Sequence, residues 1–228
     1  MLEAAAKDPM RAVAFQGAPG ANSHIAVLQD QPDALPVPCY SFEDAIDAVR
    51  DGQAASALIP IENSLHGRVA DIHFLLPESG LVITGEFFLP IRYALMGKGS
   101  LADVRQAISH PQALGQCRKW LRARGIEPVP FPDTAGAAAR AVEINAPAVA
   151  AIAPPGAAAI YGLDTLAEAL EDSDDNMTRF VRLARRPQAS SSCSSHRACA
   201  AARRRPRRPS PAAARAPGSG GPVTAAPC

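Results

Sequence analysis

The sequence contains no run of about 18 apolar residues, the length that a membrane-spanning helix requires. Its N-terminus, MLEAAAKDPM, has no apolar stretch behind the charged residues, so no secretory signal peptide is indicated. The five cysteines form no CxxC pair, no pairable framework and no metal-ligand spacing. We therefore expect a cytoplasmic protein that does not bind membranes and that builds its core without disulfides or metal ions.

Acidic residues are absent from the last part of the chain. Residues 187–228 hold seven arginines and no Asp or Glu, a net charge of +7, whereas residues 1–186 hold 16 Lys and Arg against 22 Asp and Glu, a net charge of −6. Val223 is the one large aliphatic residue of this segment. Because so few apolar groups cannot offset the entropy of ordering, we predict that 187–228 is disordered. Basic runs are usually solvated, so we expect no nucleic-acid partner.

Residues 1–186 alternate short apolar runs with helical periodicity, which is typical of an α/β protein with largely parallel sheets. The strands are numerous enough for two small lobes, and the extended segment 81–97 is long enough to cross between them. A cleft between two lobes is a usual place for a small ligand. Strands are predicted at 11–16, 55–61, 81–97, 104–110, 148–153 and 177–184, and helices at 42–51, 111–125 and 133–142.

Two polar clusters follow the first two predicted strands. The glycine loop 17–24, GAPGANSH, presents backbone N–H groups to an anion, although a plain tight turn would have the same sequence. Residues 60–64 end a buried strand, where α/β proteins place ligands. Glu62 there offers an acid or a base, and Asn63 and Ser64 offer hydrogen-bond donors, with a polar helix cap as the alternative.

Two further clusters lie later in the chain. Ser109, Gln112 and Gln116 share one face of a predicted helix. The C-terminal half of that helix is basic. We interpret these cations as matching the helix dipole on an exposed face, rather than as a nucleic-acid-binding patch. In 176–180, NMTRF, Arg179 offers a bidentate contact to a carboxylate, or a salt bridge to the acidic loop EDSDD before it.

In this order and at these separations, the clusters resemble prephenate dehydratase, over roughly Met10 to Arg186. The most specific segments are PIENSLHGRV, SHPQALGQC, DTAGAAA, IYGLDTLAEALED and NMTRF. The resemblance implies a two-lobed α/β catalytic domain like the type II periplasmic binding proteins, with the active site in the cleft between the lobes. It also implies a carbon–oxygen lyase of phenylalanine synthesis, which converts prephenate to phenylpyruvate, CO2 and water.

The site residues that the resemblance implies are assigned by matching the family's motifs to this sequence. The catalytic positions that the resemblance implies are Thr178, Glu62, Asn63, Ser109 and Gln116. The substrate contacts that it implies are Pro19, Gly20, Ala21, Asn22, Ser23, Ser64, Thr134, Arg179 and Phe180. Thr178 would donate a hydrogen bond to the departing hydroxyl, and Glu62 behind it would supply the proton.

The resemblance also sets the expected organisation and partners. We expect lobe 1 at about 10–83 with 172–186 and lobe 2 at about 84–171. We expect no cofactor, because no redox or carbanion chemistry occurs, and a homo-oligomer, as in the family. Arogenate dehydratase, which performs the same chemistry on an amino analogue, stays open, as does a catalytically silent binding domain of the same fold.

The match ends near Arg186, where the family continues into a phenylalanine-binding ACT domain. The segment 187–228 has the composition of a GC-rich gene translated in another frame. We therefore interpret it as frameshifted sequence, and we expect that phenylalanine does not inhibit this chain.

Overall fold

The computed structural model describes residues 2–186, which form two mixed β-sheets with helices packed on them. The disorder and the frameshift predicted for 187–228 lie outside the described residues. The first sheet has six strands: β1 (Ala12–Gln16), β2 (Leu35–Cys39), β3 (Ser56–Asn63), β4 (Gly67–Arg68), β5 (Val82–Pro90) and β11 (Met177–Ala184). The second sheet has five: β6 (Ala94–Gly97), β7 (Gln106–Ser109), β8 (Glu127–Pro130), β9 (Val149–Ala153) and β10 (Asp164–Glu168).

Eight α-helices and one short 3-10 helix lie among these strands in residues 2–186. The α-helices are α1 (Leu2–Lys7), α2 (Asn22–Asp30), α3 (Phe42–Arg50), α4 (Ala70–Glu78), α5 (Pro111–Gln116), α6 (Arg118–Arg124), α7 (Thr134–Ile144) and α8 (Ala157–Tyr161). The 3-10 helix is Leu101–Asp103. In the part of the chain that the structure describes, none of these helices has the length and apolarity to cross a bilayer.

The two-lobed α/β fold is confirmed, but the expectation of largely parallel sheets was wrong. Each sheet has a parallel core of three strands, β2-β1-β3 in the first and β8-β7-β9 in the second. The remaining strands are antiparallel to their neighbours. In the first sheet, the chain leaves after β5, builds the second sheet, and returns through β11, which runs antiparallel to β3 and β5.

The predicted elements are largely present, with two differences. The extended segment 81–97 is two strands in different sheets, β5 and β6, so it does cross between them. The helix predicted at 111–125 is divided at Cys117, which has φ −107° and ψ 15° and joins α5 to α6. Ser109 precedes this helix as the last residue of β7, so it does not share a helical face with Gln116.

Strand β3 contains a local irregularity that decides the geometry of the site. Phe180 of β11 pairs with Pro60, but the preceding residue, Arg179, pairs with Glu62. Ile61 is therefore the extra residue of a β-bulge. Because side chains alternate between the two faces of a sheet, one inserted residue reverses the faces of all residues beyond it.

The bulge places Asn63 and Thr178 on one face and Glu62 and Arg179 on the other. The Asn63 Nδ2 donates to Thr178 Oγ1 at 3.0 Å, on the face to which Pro60 also contributes. Across the sheet, an Arg179 guanidinium nitrogen lies 3.9 Å from a Glu62 carboxylate oxygen. Regular alternation from Pro60 would have placed Glu62 on the cavity face and Asn63 on the other, whereas Thr178 and Arg179 of β11 keep their faces.

The largest apolar cluster runs through both sheets. It joins Phe15 and Phe180 of the first sheet to Leu95 and Ile152 of the second, all almost fully buried. Separate clusters lie beneath α3 and α4 on the first sheet and beneath α7 on the second. The shared cluster fixes the two sheets to each other, so the cleft between them has a rigid floor.

We predict that Ser41→Ala lowers the free energy of unfolding by about 1 kcal/mol. The Ser41 Oγ accepts from the Asp44 backbone N–H at 3.0 Å, and the Asp44 carboxylate accepts from the Ser41 N–H at 3.1 Å, a capping box at the start of α3. Urea unfolding measures the change. Ser41→Asn is the control, because asparagine also caps and should retain most of the stability; equal stability of all three proteins would contradict the prediction.

Candidate active site

A cavity of about 410 Å³ opens between the two sheets. The first sheet contributes the end of β1 with the glycine loop, the end of β3, the β3–β4 turn and the start of β11. The second sheet contributes the first residues of α5 and α7. The predicted site residues that line the cavity are Ala21, Asn22, Ser23, Asn63, Gln116, Thr134, Thr178 and Phe180.

A chain of side-chain hydrogen bonds crosses the cavity wall. Asn63 Nδ2 donates to Thr178 Oγ1 at 3.0 Å and to Asn176 Oδ1 at 2.7 Å. Asn176 Nδ2 in turn donates to Gln116 Oε1 at 2.5 Å. Asn176 is 2% exposed, so its amide is satisfied within the protein. The chain ties β3 and β11 of the first sheet to α5 of the second.

The orientation of the Asn63 amide determines the orientation of the other amides in this series of hydrogen bonds. Its Oδ1 accepts the backbone N–H groups of Leu65 and His66, both at 3.0 Å, as in an Asx-turn. Its Nδ2 must then face Thr178 and Asn176. Because the Thr178 oxygen accepts this bond, its hydroxyl hydrogen is left for an acceptor in the cavity.

The glycine loop is held from both sides. The buried His24 accepts the Gly20 N–H at its Nδ1, 3.1 Å away, and burial lowers the His24 pKa, which favours the neutral ring that this bond requires. From the second sheet, the Tyr161 hydroxyl donates to the Pro19 carbonyl at 2.9 Å. Gly20 has φ +90°, and a Cβ there would lie 3.1 Å from Ala157 Cβ, so a larger residue would be strained.

The start of α2 is suited to an anion. Its first residues, Asn22 and Ser23, line the cavity, and no side chain caps the helix N-terminus. Uncapped N–H groups and the positive end of the helix dipole both attract negative charge. Helix α7 also begins at the cavity, but there the Asp133 carboxylate accepts the Gly136 N–H at 2.6 Å and already caps it.

Six of the predicted site residues do not line this cavity: Pro19, Gly20, Glu62, Ser64, Ser109 and Arg179. Arg179 binds Glu86 on the outer face of the first sheet, at 2.8 and 3.1 Å, and this bond raises the Arg179 pKa and lowers that of Glu86. Its partner is therefore neither a carboxylate in the cavity nor the acidic loop. Arg92 instead contacts that loop, at Glu171 and Asp174.

Two predicted hydroxyl residues have structural partners. The Ser64 Oγ donates to the Asp175 carbonyl at 2.8 Å and accepts the Met177 N–H at 2.9 Å, so it fastens the β3–β4 turn to the loop before β11. The fully buried Ser109 hydroxyl donates to the Ile152 carbonyl at 2.5 Å and joins β7 to β9.

The cavity lining also contains residues outside the predicted site set. Gly17, Ala18, Pro60, Gln112 and Asn176 belong to the polar clusters described from the sequence. The others are Gln16, His66, Gly67, Arg68, Val69, Ile91, Tyr93, His110, Ala113 and Asp133. His66 and Arg68 are part of the segment PIENSLHGRV, and His110 of SHPQALGQC, so the motifs that carried the resemblance contained a signal for them. Within residues 2–186, no group of three His, Cys, Asp or Glu side chains is arranged to hold a metal ion.

Fold and site together define a two-lobed α/β protein whose inter-lobe cavity is lined by an uncapped helix start and by a threonine hydroxyl that accepts from Asn63. The family model for prephenate dehydratase matches residues 13–188. The chain belongs to the prephenate dehydratase family.

Three known proteins illustrate this relationship. The chain is 44% identical, over 78% of its length, to a Komagataeibacter europaeus protein named bifunctional N-acyl-homoserine lactone acylase/prephenate dehydratase. It is 41% identical, over 77% of its length, to arogenate dehydratase/prephenate dehydratase 2, chloroplastic, of Arabidopsis thaliana. The solved structure of prephenate dehydratase from Arthrobacter aurescens in complex with L-Phe has 33% identity and a TM-score of 0.70, and the match covers 77% of this chain and 60% of that one.

The matches do not extend over the full length of the related proteins. The chain covers 64% of the Komagataeibacter europaeus protein and 46% of the Arabidopsis thaliana protein. Family membership therefore applies to the aligned region, residues 13–188.

We predict that Asn63→Asp destabilises the protein by about 1–3 kcal/mol. The substitution conserves shape but replaces the donor Nδ2 with an oxygen that faces Asn176 Oδ1 and Thr178 Oγ1. Urea unfolding measures the loss. Asn22→Asp is the matched control, because a carboxylate at the start of α2 suits the helix dipole and should not destabilise. If both variants unfold like the wild type, Asn63 does not organise the site as described.

Proposed function

We propose that this chain converts prephenate to phenylpyruvate, CO2 and water. The observation that carries the proposal is the Thr178 hydroxyl, which lines the inter-lobe cavity with its oxygen already accepting from Asn63. A hydroxyl in this state can donate to an oxygen of the ligand. In the proposed reaction that oxygen is the hydroxyl that leaves the substrate ring, and membership of the prephenate dehydratase family supports this assignment.

The size and polarity of the cavity suit a small dianion. Its volume of about 410 Å³ falls in the range of small-molecule sites. Prephenate carries one carboxylate on the ring and one on the pyruvyl arm. The uncapped start of α2 offers backbone N–H groups to one carboxylate, and Thr134 and Gln112 on the opposite wall offer neutral donors to the other. Each hydrogen bond to a charged group contributes about 1.5–3 kcal/mol.

The reaction depends more on a group that helps hydroxide to leave than on a strong base. Breaking the bond between the ring and its carboxylate releases CO2, and the electron pair enters the ring as the hydroxyl leaves. Aromatisation supplies the driving force. Negative charge develops on the departing oxygen, and a fixed donor such as Thr178 stabilises that charge more than it stabilises the bound substrate.

Glu62 does not fit the relay that we expected behind Thr178. The bulge at Ile61 puts the Glu62 carboxylate on the outer face of the sheet, near Arg179, with β3 and β11 between it and the cavity. A proton from Glu62 would have to pass through the sheet. In the proposed mechanism, Glu62 therefore has no part in proton transfer.

Prephenate rather than arogenate is the proposed substrate. The two differ in the side arm, where arogenate carries an ammonium group and has one negative charge fewer. The uncapped helix start favours the more anionic ligand, and Asp133, the acidic residue of the cavity lining, already caps α7. Turnover of the two compounds by the same enzyme preparation separates them.

We predict that Thr178→Val lowers kcat for phenylpyruvate formation by about 100-fold or more, the usual loss when one transition-state donor is removed. Valine conserves the shape of threonine but has no hydroxyl. Thr178→Ser retains the hydroxyl and should stay within about 10-fold of the wild type. The assay follows phenylpyruvate from prephenate at neutral pH.

Two controls make this result specific. Thermal unfolding of both variants establishes that the cavity is still folded, and Thr165→Val on β10, outside the cavity lining, reports the effect of losing a hydroxyl elsewhere. A Thr178→Val protein with full activity would remove Thr178 from the mechanism. A well-folded wild type without activity on either substrate would support a silent binding domain.

A further inference from the structure

The proposed reaction consumes one proton, and the following inference rests on that proposed function. Prephenate has a charge of −2, phenylpyruvate has a charge of −1, and CO2 and water are neutral. Hydroxide must therefore take up a proton to leave as water. A threonine hydroxyl stabilises the departing oxygen but cannot supply this proton on its own, because its conjugate base is too strong. The site needs a group that titrates near neutral pH.

Five side chains of the cavity lining can carry or release a proton: His66, Arg68, Tyr93, His110 and Asp133. Arginine keeps its proton at any physiological pH. Burial raises the pKa of the Tyr93 phenol, which makes it a weaker acid than free tyrosine. The Asp133 carboxylate is an acceptor in the first turn of α7, where negative charge is favoured. The two histidines remain, and histidine is the side chain suited to proton transfer near neutrality.

The two histidines differ in what their ring nitrogens do. His110 Nδ1 accepts the Gln112 N–H at 3.2 Å and so caps α5. Protonating that nitrogen would break the cap. His66 lies in the exposed β3–β4 turn, and its Nε2 is 3.0 Å from the Gln116 Nε2. No secondary structure depends on the state of the His66 ring.

The contact between His66 and Gln116 has a defined direction. Gln116 Oε1 accepts from Asn176, so the Gln116 nitrogen is the one that faces His66. An amide NH2 only donates, so the His66 Nε2 accepts and the ring is neutral in this arrangement. If His66 were protonated, its Nε2–H would face the N–H of Gln116. Two donors cannot form a hydrogen bond, so the contact with Gln116 would break. Two states of His66 are therefore available: neutral and bound to Gln116, or protonated and free to donate into the cavity.

We propose that His66 is the general acid that protonates the departing hydroxyl. The doubly charged substrate favours the protonated imidazole when it binds. As the ring C–O bond breaks, the His66 N–H bond breaks too, its proton forms water with the leaving oxygen, and its electron pair remains on the imidazole. Neutral His66 then accepts from Gln116 Nε2 again. The ring recovers its proton from solvent, to which the β3–β4 turn is exposed.

The charged and titratable groups around His66 shape this cycle. Arg68 is two residues away on β4, opposite Glu62 in the backbone register of the hairpin, and the Glu62 carboxylate lies near Arg179 on the outer face. His110 and Asp133 line the same cavity from the second sheet. Arg68 opposes protonation of His66, while Asp133 and the substrate carboxylates favour it. We therefore expect proton uptake to accompany substrate binding.

The experiment is the pH dependence of kcat for prephenate in the wild type and in His66→Gln. A general acid must be protonated to act, so wild-type kcat should fall as pH rises. His66→Gln should lower kcat by about 100-fold or more and should lose this pH-dependent limb. Added imidazole should restore kcat to His66→Gly, which a purely structural role would not allow.

Two matched histidine variants give the controls. His73→Gln changes an exposed histidine of α4 that does not line the cavity, and it should keep the wild-type profile. His110→Gln tests the other cavity histidine; if it removes the limb and His66→Gln does not, the general acid is His110 and the proposal is overturned. An active wild type with an unchanged His66→Gln profile overturns the role of His66 alone. A wild type without activity overturns the dehydratase function and this proposal with it.

Discussion

The candidate site depends on the carboxamide of Asn63. Two backbone N–H groups of the β3–β4 turn fix its oxygen, and its nitrogen then sets the direction of each hydrogen bond through Asn176 to Gln116. The same nitrogen donates to the Thr178 oxygen, so the hydroxyl proton remains available to a ligand. One amide thus shapes the turn, orients the proposed donor and connects the two lobes, and the network is rigid because each member is satisfied.

The bulge at Ile61 determines which motif residues reach the cavity. Two adjacent residues of each motif, Glu62 with Asn63 and Thr178 with Arg179, are divided between the faces of one sheet. The inner pair holds neutral hydrogen-bonding groups and the outer pair holds opposite charges, with Arg179 bound to Glu86. The residues of β3 and β11 that face the cavity are therefore neutral, and Arg179 lies outside the cavity lining.

The two lobes contribute different properties to the cavity. The first sheet supplies the oriented hydroxyl, the glycine loop and the β3–β4 turn, and the second supplies the starts of α5 and α7. Contacts across the cleft include the Tyr161 hydroxyl on Pro19, the Gln116 side chain on Asn176 and the shared apolar cluster. These contacts close the cleft around a small polar volume, in which hydrogen bonds to a charged ligand are stronger than in open water.

The sequence by itself determined the α/β class and most strands, and its resemblance to the family placed Thr178, Asn63 and Gln116 near one cavity. These features depend on local periodicity and motifs, which are readable along the chain. Only the tertiary structure decided that Glu62 and Arg179 face outward and that His66 meets Gln116 across the cleft. A one-residue bulge and a contact between residues 50 positions apart leave no local pattern, because both arise from the pairing of distant segments.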